Sequence, residues 1–128
     1  MLNEAIRKFL KEKNKDNAIL FMKEVSSLIP PSDDFSIFLV KRGPHEYHLD
    51  RKGLFIQSIS EDEYLPFLSG TEKRVDFSSF PEDAVKKIDY IEILKQLRDI
   101  LLDFSRRGGE KYTKMAEEIN ALIFENLK

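Results

Sequence analysis

The chain contains no cysteine and no tryptophan. Without cysteine it can form no disulfide, use no thiol nucleophile and build no cysteine-type zinc site. Histidine is nearly absent too: His45 and His48 are the only two, and they fall in one short stretch. They are three residues apart, whereas zinc-protease histidines stand four apart on one helix face. No Gly-x-Ser-x-Gly elbow occurs, so no nucleophile stands out. Gly108-Gly-Glu-Lys-Tyr-Thr113 has the residue types of a phosphate loop, but its spacing is wrong and a helical pattern precedes it. Long apolar runs are also missing; none approaches the ~20 residues that span a bilayer. The start, Met1-Leu-Asn-Glu-Ala-Ile-Arg7, lacks the apolar centre of a signal peptide. These absences predict a soluble cytoplasmic protein with no cofactor and no metal, and they give no positive sign of an enzyme.

What is present is one domain's worth of chain, 128 residues with 41% hydrophobic and 34% charged side chains. Its organising stretch is Asp89–Arg107. Tyr90, Ile93, Leu94, Leu97, Ile100, Leu101 and Phe104 share one arc of about 120° on a helical wheel. Asp89 and Glu92 form a helix-start signature. Arg106, Arg107 and Gly108 form a stop, with Gly108 suited to the left-handed C′ position. Ile91 and Leu102 lie on the shoulder of the stripe and predict a second contact there. Ala84, Val85 and Ile88 point the other way, so a short turn over 81–88 breaks near Asp89.

Taken in order, residues 2–13 and 17–29 read as amphipathic helices, the second capped by Asp16 or Asn17 and ended by Pro30-Pro31. Phe35–Lys41 is apolar on both faces, which predicts a central strand. Glu46–Leu49 and Leu54–Ile59 complete an antiparallel meander, with turns at Arg42–His45 and at Asp50–Gly53. Ser60-Glu-Asp-Glu63 is a capping box that opens a short helix closed by Gly70. Glu72–Phe77 is a fourth strand, and Ser79–Glu82 is another capping box. The last helix runs from Glu110 to Leu127 and forms a hairpin with its predecessor. The reading is a single α+β domain over residues 1–128: two N-terminal helices, an antiparallel meander of three to four strands and a C-terminal αα-hairpin packed against the sheet. This order of elements is similar to that of secretion chaperones, although no sequence motif carries the similarity.

Charge is uneven. Residues 61–83 hold seven acidic and two basic side chains, in a chain whose net charge is −2. Glu61, Asp62, Glu63, Glu72 and Asp76 could face a basic protein partner and steer its approach; the plainer reading makes three of them helix-start residues. The pairs Lys41-Arg42 and Arg51-Lys52 sit at opposite ends of one strand, which disfavours nucleic acid. Glu46, His48 and Asp50 share a strand face, and polar residues on a half-exposed strand account for them far better than metal or acid–base chemistry does. The function expected is a non-catalytic protein-binding module, in its most concrete form an immunity protein that neutralises a toxin, or a related adaptor or chaperone. The alternative is a small-ligand protein or enzyme with a pocket between sheet and helices. A third is self-association through Ile91 and Leu102, or through Phe124.

Overall fold

The computed structural model describes residues 2–58 and 71–127, with the backbone alone at Thr71. Its elements are α1 (Leu2–Lys11), α2 (Lys15–Leu28), β1 (Ile37–Arg42), β2 (His45–Asp50), β3 (Gly53–Ser58), β4 (Thr71–Val75), a 3-10 turn (Phe77–Ser79), α3 (Glu82–Val85), α4 (Tyr90–Gly108) and α5 (Glu110–Asn126). The architecture is the expected α+β domain, with two N-terminal helices, one antiparallel sheet and a C-terminal helix pair. The helix expected over residues 60–70 lies outside the described residues.

The corner between α1 and α2 is tied by two asparagines. Asn14 caps α2 by accepting from the Asn17 backbone N–H at 2.8 Å. Asn17 turns its amide back and donates to the carbonyls of Lys8 (3.1 Å) and Glu12 (2.8 Å). The cap therefore falls earlier than the expected Asp16 or Asn17, because Asn17 is engaged with the last turn of α1. Leu2, Ile6 and Phe9 meet Ala18, Phe21, Met22 and Val25 in the core, with the Phe9 and Phe21 rings stacked at 5.9 Å. The buried Ser26 hydroxyl donates to the Asp50 carbonyl at 2.6 Å and fastens α2 to the sheet.

The strands pair in chain order, β1-β2-β3-β4. Gly43, at φ 61, precedes Pro44 in the first two-residue turn, where a left-handed first position matches the strand twist. In the second turn the Asp50 carboxylate accepts from the backbone N–H groups of Lys52 (2.9 Å) and Gly53 (3.1 Å). Ile37, Val40, Tyr47, Leu49 and Leu54 form the inner face, under the helices.

The strand expected at the centre is an edge strand. Its two-sided apolar pattern has other causes. The register slips between Phe38 and Val40, so Leu39 is an extra residue, and Leu39 and Val40 both turn inward. Beside the open edge lies α4, which shelters it.

The Ser79–Glu82 capping box does not form. Ser79 belongs to the 3-10 turn, and α3 starts after Pro81 without a side-chain cap. The start of α4 is as read, with Asp89 accepting from the Glu92 backbone N–H at 3.1 Å. Its end is shifted by one residue. Gly109, at φ 94, takes the left-handed role, and Gly108 completes the helix. A Cβ on Gly108 would fall 2.5 Å from the Tyr112 ring and 2.7 Å from the Phe104 ring, so the hairpin needs glycine there for closeness. Ile93, Leu94, Leu97 and Leu101 are buried as expected. The helix α4 packs along β1 and against α2, and α5 packs along α4. Of the shoulder, Ile91 is half-buried and Leu102 is exposed, as is Phe124. Among the described residues no helix is long and apolar enough to cross a membrane.

Candidate functional site

Strand alternation places Phe38, His48, Phe55 and Arg74 in one row across the outer face of the sheet. The contacts along the row are continuous. Phe38 meets the His48 ring edge-on at 5.5 Å, His48 stacks on Phe55 at 5.2 Å, and the Arg74 guanidinium lies 5.5 Å from the Phe55 ring centre. Phe55 is only 5% exposed, yet it stands apart from the main hydrophobic core. Phe38, at the free end of the row, is 38% exposed.

Carboxylates flank this row. Asp50 holds Arg74 through two short contacts, 2.7 and 2.6 Å, which keeps the guanidinium over Phe55. Burial pushes the Asp50 carboxyl up, but the hydrogen bonds from Arg74, Lys52 and Gly53 outweigh it and hold the pKa below the usual carboxylate value. Glu46 lies 3.2 Å from His48 Nε2. The trio read as one group on β2 is thus two pairs, Glu46 with His48 and Asp50 with Arg74. In the next row Glu46, Gln57 and Glu72 are aligned across three strands. The two histidines diverge as expected from their spacing: His45 turns to the other side of the strand, with Nδ1 2.8 Å from the Ser58 hydroxyl.

Of the five acidic residues singled out from the sequence, Glu72 and Asp76 are described and exposed, and Glu61, Asp62 and Glu63 lie outside the described residues. Glu72 lines a cleft with Asp33, Phe35, Asp50, Phe55 and Arg74. Asp76 lines a different one, of about 530 Å³, beside Lys52 and Lys73. The structure joins Glu72 to Glu46, not to Asp76. Sequence reading missed this row because its members come from three strands and are matched only by register.

A second feature lies between the sheet and the helices. The Gln96 side chain of α4 reaches the β1 edge and pairs with Phe38 twice. The Phe38 N–H donates to Gln96 Oε1 at 2.9 Å, and Gln96 Nε2 donates to the Phe38 carbonyl at 3.0 Å. Beyond this clasp a groove of about 400 Å³ runs between β1 and the start of α4. Leu39, Val40 and Ile93 form its apolar part; Lys41, Lys87, Asp89 and Glu92 form its charged rim.

Among the described residues no three histidine, aspartate or glutamate side chains are grouped to hold a metal ion. Compared with known protein families, with curated proteins and with solved structures, the chain matches none.

Proposed function

We propose that the protein is a non-catalytic, cytoplasmic protein-binding module that docks a partner on the outer face of its sheet. The observation that carries the reading is the row Phe38–His48–Phe55–Arg74, edged by Glu46 and Glu72. Aromatic groups beside polar ones are the composition of interface centres. Arg74 supplies an internal example of a fitting guest. It is a cation seated over an aromatic ring and gripped by a carboxylate. Glu72 is an exposed carboxylate that forms no salt bridge among the described residues, though it feels the charge of Arg74, and it would meet a basic side chain of the partner. A small protein that neutralises a basic toxin, or an adaptor or chaperone for a basic client, fits this chemistry.

The test is a pull-down from native lysate at low salt, eluted with high salt and identified by mass spectrometry. The expected result is one stoichiometric basic protein, lost on combined Phe38→Ala and Glu72→Lys substitution. Capture unaffected by both substitutions would remove the sheet face from the reading.

A further inference from the structure

The β1 edge holds a carboxamide in the position of a neighbouring strand. A carboxamide is chemically a peptide group, so the two bonds between Gln96 and Phe38 form one rung of a β-ladder built from a side chain. Phe38 therefore turns its N–H and C=O away from β2. Its register partner is His48, and the ladder continues through the extra residue Leu39 to Val40 opposite Tyr47, then Lys41 opposite Glu46. The two-residue turn closes with Arg42 opposite His45, which is a hydrogen-bonded pair in such turns. Counting back from it, Lys41 turns its N–H and C=O outward, as Phe38 does. These two groups open into the groove beside α4. Among the described residues nothing outside the β1–β2 ladder bonds to them.

We infer that this groove receives an extended peptide strand from a partner protein, which adds to the sheet at β1 and continues the ladder that Gln96 begins; the inference rests on the protein-binding reading above. Edge strands recruit peptides through backbone groups, with pockets for alternate side chains. Leu39, Val40 and Ile93 supply the apolar wall for one such side chain. The rim sets Lys41 and Lys87 against Asp89 and Glu92, so charge selects neither sign and the backbone carries the recognition. A second copy of this chain is a poorer guest. It would bring its own α4 along its own β1, and two helices and two strands would compete for one groove.

The probe is a phage-displayed library of random heptapeptides, selected on the intact protein. Selected peptides are expected to shift the backbone amide resonances of residues 38–41 and to protect the Lys41 amide from exchange. Lys41→Pro removes the outward N–H but no β1–β2 bond, since proline is tolerated where an edge N–H faces outward. It should weaken binding by about tenfold, the worth of roughly one hydrogen bond. Gln96→Ala frees the Phe38 rung and should tighten binding several-fold. Independently of how any variant folds, methylating alternate backbone nitrogens of the peptide should abolish binding in one phase and spare it in the other. Peptides whose footprint falls on His48, Phe55 and Glu72 and ignores Lys41→Pro would overturn the inference. So would indifference to the phase of methylation, or a library that yields no binder. The sheet-face reading is judged separately: the lysate pull-down repeated with Lys41→Pro still captures the partner if only the groove proposal is wrong.

Discussion

The two faces of the sheet are made by the same strands, residue by residue, and they do different work. On the inner face Ile37, Leu49 and Leu54 are fully enclosed in the core beneath α2 and α4. On the outer face Lys41, Gln57, Glu72 and Arg74 are exposed, and the apolar groups are aromatic rings in contact with a histidine or an arginine. Burial on one side supplies cohesion without selectivity. The rings on the other are held by directional contacts, and apart from the buried Phe55 they stay partly exposed and define a surface. A strand of period two can therefore carry both roles at adjacent positions.

Four substitutions put this contrast to the test. Leu49→Ala empties a fully buried inner site and should cost about 2–5 kcal/mol in urea unfolding. A cost as small as that of an outer-face change would erase the distinction. Asp50→Asn weakens the grip on Arg74 and should cost about 1 kcal/mol at neutral pH, since Arg74 is partly exposed. Its pH dependence has a definite sign. The folded pKa of Asp50 is lowered from 3.8, so its charge stabilises the fold above that value. This contribution fades as pH falls through the lower folded value, so the gap between wild type and Asp50→Asn should close below about pH 4. Phe38→Ala removes a half-exposed ring and should cost less than about 1 kcal/mol, yet reduce partner capture in the pull-down. Glu72→Lys should leave stability within about 0.5 kcal/mol and slow partner association, measured as an on-rate at low salt.

Much of the fold was legible because its signals are local. The stripe and Asp89 cap of α4, the break before that helix near Asp89 and the turn glycine Gly53 each depend on neighbours within a few residues. The errors arose where distant residues decide. An apolar strand read as central is an edge strand because a bulge turns Leu39 and Val40 to one side and because Gln96, 58 residues from Phe38 in sequence, covers its rim. Cap positions moved where a side chain had another employer, as with Asn17. For the candidate site, composition pointed to Glu72 but not to its setting. Strand register alone reveals that Glu46 stands in its row and that four strands align Phe38 with Arg74. No pattern in a single strand records such a row.

The Gln96 clasp also bears on the order in which the chain is made. During synthesis β1 leaves the ribosome first, and the residue that covers its edge follows 58 positions later. At about 5–20 residues per second that is an interval of about 3–12 s. Throughout it the nascent meander presents a bare, apolar strand edge to its surroundings, so the newborn protein is most prone to mispairing just before α4 is complete.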